Sequence, residues 1–175
     1  MSRKLLAALA VTAVALTVAI ASTSAAAPEM FVTPLSGDEE SPIRDTRARG
    51  AAVFQVSADG GSIGYRLIAS NIDNVVQAHI HWPAPEGMNA GVVVWLFPEE
   101  GQMALVGPTG PQDGVLATGT ITASDLTGDL AGQPLSALID ALRSGMAYVN
   151  VHTSNPGAPP GPGNFPPGEI RGQID

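Results

Sequence analysis

The stretch VVQAHIHW, residues 75–82, alternates in the manner of a β-strand and carries two of the chain's three histidines. Successive side chains of a strand point to opposite faces, so His79 and His81 share one face while Ile80 lies on the other. The stretch MAYVNVHT, residues 146–153, follows the same rule and carries the third histidine. Both segments are therefore predicted to be strands with one apolar face and one histidine-bearing face.

Similar short runs recur through the rest of the chain, with turn residues between them, as in a sandwich or a barrel. They lie at residues 30–35, 51–57, 62–69, 92–97, 103–106, 115–122 and 169–174. The sequence ADGG at 58–61 is short enough for a hairpin, because glycine tolerates the positive φ that such turns require. We predict an all-β fold, an antiparallel Greek-key-like sandwich or barrel of about eight or nine strands.

One segment has a helical period instead. Between residues 135 and 142, apolar side chains recur at i, i+3, i+4 and i+7, which places them on one face of a helix. Pro134 suits the first turn of such a helix and Gly145 suits its end. We therefore predict one short helix that closes an end of the β structure.

The N-terminal segment has the order of a secretory signal peptide: a basic tetrapeptide, an apolar run to Ile20 and small residues through Ala27. A membrane anchor is the alternative, but the apolar run is shorter than the roughly 20 residues that span a bilayer. We predict a signal peptide at 1–26 and a single β domain at 27–175. The protein is then secreted, periplasmic or on the cell surface, with no membrane insertion after cleavage.

Charge and cysteine content exclude several classes of protein. The net charge is −8, and removal of Arg3 and Lys4 with the signal peptide leaves six basic residues against sixteen acidic ones. Such a charge argues against nucleic acid as a partner. The chain has no cysteine, which rules out thiol catalysis and zinc–thiolate sites.

The three histidines are the candidate site. The i, i+2 spacing of His79 and His81 sets their Cα atoms about 6.5–7 Å apart, from which both rings can reach one ion. If the two histidine strands are neighbours, His152 supplies a third nitrogen, and a three-histidine set leaves a fourth position for water or another ligand. Copper and zinc are the favoured metals in an exported protein without thiols.

A purely structural hydrogen-bond network is the alternative interpretation of these histidines. In that network Asn150, Glu169 or Arg171 would satisfy the ring nitrogens. In a metal site the same residues would surround the ligands, with Glu169 accepting from an imidazole and Arg171 holding its carboxylate.

Two further segments receive an interpretation from composition alone. Residues 154–168 contain six prolines and four glycines, which favours a long exposed loop. A flap over His152, or a ligand for a proline-binding groove, is the alternative. The acidic cluster at 38–40 is interpreted as a solvated turn.

Several blocks of the sequence together resemble the CHRD domain, a family found in chordin and in exported bacterial proteins. They are AHIH at 78–81, YVNVHT at 148–153, GEIRGQI at 168–174, LSGDEESP at 35–42 and GMNAG at 87–91. The resemblance covers 31–174 and implies an all-β domain. The family positions matched here are His79, His81, His152, Glu169 and Arg171, and the sequence departs from the family mainly in the insertion between 153 and 168.

The sequence is consistent with three hypotheses about function. The leading hypothesis is a non-catalytic exported binding domain that holds one transition metal ion through the three histidines. The second is an extracellular module that contacts a protein or a polysaccharide and uses its histidines structurally. The third is a mononuclear copper oxidoreductase. No hydrolase or phosphate-binding motif is present in the sequence.

Overall fold

The computed structural model describes residues 28–98, 107 and 109–175. The described chain forms eight strands: β1 Met30–Ser36, β2 Arg49–Val56, β3 Ile63–Asp73, β4 Val75–His81, β5 Val92–Phe97, β6 Pro111–Ile121, β7 Ala147–Thr153 and β8 Ile170–Ile174. Every predicted strand within these residues is present. The strand predicted at 103–106 and the signal peptide predicted at 1–26 lie outside the described residues.

All eight strands belong to one antiparallel sheet with the order β5-β4-β7-β8-β1-β2-β3-β6. The two edge strands, β5 and β6, approach each other, so the sheet is a nearly closed barrel. Across this seam the Tyr65 hydroxyl of β3 donates a hydrogen bond to the Leu96 carbonyl of β5 at 2.8 Å. The predicted all-β antiparallel architecture is confirmed, and the barrel is the form that it takes.

The predicted helix is α1, Leu135–Arg143, and Pro134 is its N-cap. Its apolar face is buried in the same hydrophobic cluster as the strands, with Leu138 and Leu142 fully buried. Gly145 adopts a positive φ of 65° just after the helix, where glycine avoids the strain of a side chain. Among the described residues, no helix combines the length and the hydropathy needed to cross a membrane.

Strand β8 positions the site, because it lies between β7 and β1 and joins the histidine strands to the first hairpin. A side chain at Gly172 would collide with the Pro34 carbonyl and with the Thr33 side chain of β1. The register pairs Ser36 with Arg171 at the end of β1. Residues that follow β1 therefore arrive beside the polar face of β7 and β8.

Candidate metal centre

The three histidines lie together on one face of the paired strands β4 and β7. The antiparallel register sets His79 opposite Asn150, His81 opposite Tyr148, and Gln77 opposite His152. One ligand nitrogen from each of the three imidazoles lies within 4.8 Å of the other two. The two histidine strands are neighbours, which is the condition that the sequence set for a three-histidine cluster.

This face is covered, although the sequence pattern gave it as the polar side of the strands. His79, His152 and His81 are only 3%, 6% and 7% exposed. The cover consists of the segment 83–91 on one side and the proline-rich loop on the other, each of which presents a backbone carbonyl to a histidine. The rings therefore meet inside the protein and not on an open surface.

His81 is held in one orientation by its surroundings. Its Nδ1 lies 2.9 Å from the Ala90 carbonyl, which can only accept, so Nδ1 carries the proton and Nε2 bears the lone pair. The ring stacks on Tyr148 at a centroid distance of 4.7 Å and an angle of 2°. The Arg171 guanidinium lies 3.4 Å from the centroid of the Tyr148 ring. A stack of cation, phenol and imidazole thus fixes the plane of this ring.

His152 is oriented by the loop that precedes β8. Its Nδ1 donates to the Pro166 carbonyl at 2.8 Å, which leaves the lone pair on Nε2. A backbone carbonyl on the second nitrogen is the usual support of a metal-ligating histidine, because it fixes both the tautomer and the ring. Pro166 belongs to the segment interpreted as an exposed loop. Pro166 and Pro167 are exposed, whereas Gly163 and Gly168 are buried, so that interpretation holds for only part of the segment, and the contact with His152 is one that the alternative of a flap expected.

His79 has a buried nitrogen with no partner. Its Nδ1 lies 3.1 Å from His152 Nε2, and because that atom bears a lone pair, His79 Nδ1 is the donor. Its Nε2 then carries a lone pair that meets no hydrogen-bond donor among the described residues. The edge of Trp95 lies against the ring at 4.3 Å between centroids. An unsatisfied buried acceptor lowers the stability of the fold by about 1–3 kcal/mol, and a ligand bound at this nitrogen would remove that cost.

All three rings are kept neutral by burial. Desolvation, followed by the influence of His152 and His81, lowers the pKa of His79 to about 3. Burial lowers the pKa of His152 to about 4, and it also lowers the pKa of His81. A neutral imidazole is the form that binds a metal ion, so the cluster is ready for one at pH 7.

Glu40 is a site residue that the sequence interpretation missed. It is 5% exposed, whereas Asp38 and Glu39 are exposed, so the solvated-turn interpretation of 38–40 is wrong for its last residue. Burial raises the pKa of Glu40 to about 7, against the opposing effect of Arg171 and Arg44. The signal that could have found it is its place in the block LSGDEESP, which the family resemblance already contained.

The three residues predicted to surround the histidines have different partners. Asn150 Oδ1 lies 2.9 Å from His81 Nε2, as a neighbour of the ligands would. Arg171 donates to the Met88 carbonyl at 2.8 Å and reaches His81 only through the Tyr148 ring. Glu169 contacts none of the histidines among the described residues, and it does not pair with Arg171.

Glu169 instead anchors the loop. Its Oε1 accepts from the Thr46 hydroxyl at 2.6 Å, and its Oε2 accepts from the Thr153 hydroxyl at 2.6 Å and the Gly163 amide at 2.9 Å. The expected bidentate pair with Arg171 fails because the glutamate precedes β8 and turns towards the loop, whereas the arginine turns towards Met88.

Fold and site together define a small antiparallel β domain with a buried imidazole cluster between neighbouring strands. The chain belongs to the CHRD domain family, whose model matches residues 31–174. Neither the curated proteins nor the solved structures contain a match to this chain.

Proposed function

We propose that this CHRD domain is a non-catalytic exported binding domain that holds one copper or zinc ion through His79, His81 and His152. The observation that carries the proposal is the buried, unpartnered Nε2 of His79 beside two imidazoles whose other nitrogens are fixed by carbonyls. A cation that reaches one nitrogen of each ring would be bound by three neutral imidazoles.

The chemistry of the donor set agrees with this assignment. Three neutral imidazoles suit zinc and copper, and they leave one coordination position for a further ligand. Ligands about 2.0–2.1 Å from one ion lie at most about 4.1 Å apart, so nitrogens spread over as much as 4.8 Å would draw together on binding.

Metal analysis of protein purified without a histidine tag tests the proposal. Zinc or copper is supplied both to the folded protein and during refolding, because the cluster is covered. We expect about one ion per chain, and about 100-fold or greater loss of affinity in His79→Ala and His152→Ala, since losing even an outer partner of a ligand costs 10–100-fold. The exposed Gln133→Ala variant is the control and keeps full uptake.

The absence of uptake by the wild-type chain under both conditions would overturn the metal proposal. A second candidate function then gains support from the contacts of the rings. Four of the six ring nitrogens already have a hydrogen-bond partner within 3.1 Å, as a structural network requires, and a fifth, His81 Nε2, lies 2.9 Å from the Asn150 amide. The domain would then be an extracellular module for a protein or polysaccharide partner, and the histidine variants would lose stability with or without metal.

Export is part of the same proposal and rests on the N-terminal sequence. Mass spectrometry of the protein recovered outside the cytoplasm is expected to show a chain that begins after Ala25 or Ala26. A chain that retains the first 26 residues would contradict it.

A further inference from the structure

The side-chain oxygen of Asn150 faces a nitrogen that has no proton to give. His81 Nδ1 carries its proton towards the Ala90 carbonyl, so in the neutral ring Nε2 is a lone pair. Asn150 Oδ1, which is also an acceptor, lies 2.9 Å from it. Two acceptors at this distance repel each other unless a proton or a cation lies between or beside them.

The orientation of the Asn150 amide is set from its other end. The Asn150 side chain interacts with the carboxyl group of Glu40. The two groups can come together because Gly168 has no side chain, since a Cβ there would meet both Glu40 Oε1 and Asn150 Nδ2. The amide nitrogen lies with Glu40 Oε1 beside Gly168, and the amide oxygen faces His81 Nε2 at 2.9 Å.

Glu40 itself has an orphaned atom. Only 5% of Glu40 is exposed, and its Oε1 has no hydrogen-bond partner of ordinary length among the described residues. Arg171 and Arg44 supply the positive charge around it. An acidic side chain in this position is costly for the fold alone, which points to a role at the centre behind Asn150.

We propose that Asn150 Oδ1 is the fourth ligand of the metal ion and that Glu40 is the positioning residue that turns the amide oxygen towards it. This inference rests on the proposed function, and it deepens it by naming the donor of the open position. Glu40 acts only through Asn150 and makes no contact with the ion.

The distances agree with a shared ion. Ligands about 2.0–2.1 Å from a tetrahedral ion are separated by about 3.3 Å. His81 Nε2 and Asn150 Oδ1 are 2.9 Å apart, which is close to the length of an edge of such a polyhedron. Register places Asn150 directly across from His79, within the same cluster.

The donor set also selects the metal. An amide oxygen is a hard ligand, and with three imidazoles it suits zinc or the divalent state of copper better than Cu(I), which prefers sulfur. The four ligands, three imidazoles and one amide, carry no charge of their own. We therefore expect the centre to prefer divalent ions.

Zinc affinity of Asn150→Ala, measured by competition with a chromophoric chelator, tests the ligand. We expect about 10–100-fold weaker binding than in the wild type. The direction of the change in zinc affinity decides the test. If Asn150 only competes with the ion for His81 Nε2, the variant binds zinc as tightly as the wild type or more tightly, and the proposal is overturned. Wild-type protein that takes up no zinc overturns the proposed function itself, and this outcome is distinct.

A double variant keeps the test valid if Asn150→Ala does not fold. Asn150→Asp combined with Glu40→Gln exchanges the amide and the carboxyl group with little change of volume. An anionic oxygen then faces the ion, so zinc binding becomes about 10-fold tighter or more, and binding no tighter than the wild type contradicts the ligand role.

Glu40→Gln alone weakens zinc binding up to about 10-fold without lowering the unfolding midpoint of the metal-free protein, because it removes a buried charge.

Discussion

Replacing Glu169 with alanine is expected to lower the free energy of unfolding by about 3–5 kcal/mol. The carboxylate is fully buried and accepts from the Thr46 hydroxyl, the Thr153 hydroxyl and the Gly163 amide. Alanine leaves these three donors without an acceptor, and each unsatisfied buried group costs about 1–3 kcal/mol. Denaturant unfolding of the metal-free variant and of the wild type measures the difference.

A matched acidic residue provides the control for this prediction. Glu86 is exposed, so Glu86→Ala removes the same charge and leaves the unfolding midpoint close to the wild-type value. Glu169→Gln retains an accepting oxygen but turns an amide group towards donors. Its unfolding midpoint is therefore expected to lie between those of Glu169→Ala and Glu86→Ala. Equal midpoints for Glu169→Ala and Glu86→Ala would show that the loop does not depend on this carboxylate.

The role of Glu169 illustrates which part of the site the sequence could predict. Period-two alternation correctly placed His79, His81 and His152 on corresponding faces of two strands, because the direction of a side chain in a strand depends only on parity. The same parity put Glu169 and Arg171 on one face. It could not show that the glutamate serves Thr46 and the loop, since that depends on contacts between residues far apart in the sequence.

The sequence predicts the cover of the histidines only as an alternative, a flap over His152, for a different reason. It is made by the backbone carbonyls of Ala90 and Pro166, and every residue type has such a carbonyl. Composition therefore gives no signal for it, and the prolines of 154–168 indicated exposure instead. Glu40 was missed because only the register of Ser36 with Arg171 brings the end of β1 to β8 and to the site.

Acidification is expected to destabilise the metal-free protein strongly between about pH 6.5 and pH 4. The pKa values of His79 and His152 are lowered by burial to about 3 and about 4, and the pKa of His81 is lowered as well. Below pH 6.5 the histidines of the unfolded chain bind protons, whereas those of the folded chain do not. The free energy of unfolding therefore falls as the pH falls. One unit of pKa shift corresponds to about 1.4 kcal/mol, so the loss is on the order of several kcal/mol.

The protonation of Glu40 changes the free energy of unfolding with pH in the opposite direction, which provides an internal control. Its pKa is raised to about 7, so the stability linked to its protonation is fully present below about pH 4.5 and is lost as the pH rises towards 7. One carboxyl group offsets part of the effect of three imidazoles. Glu40→Gln removes this offset, so the decline of stability with falling pH becomes steeper in that variant.

Denaturant unfolding in the presence of a chelator, repeated at half-unit steps of pH, measures both slopes. His79→Gln removes one of the suppressed titrations and flattens the decline, whereas Gln133→Ala leaves it as in the wild type. With one equivalent of zinc the free energy of unfolding is higher over most of this range, but its slope with pH changes little, because the folded imidazoles are already unprotonated there. A pH-independent free energy of unfolding in this range would mean that the imidazoles titrate freely in the folded state, and the buried, neutral cluster would then have to be abandoned.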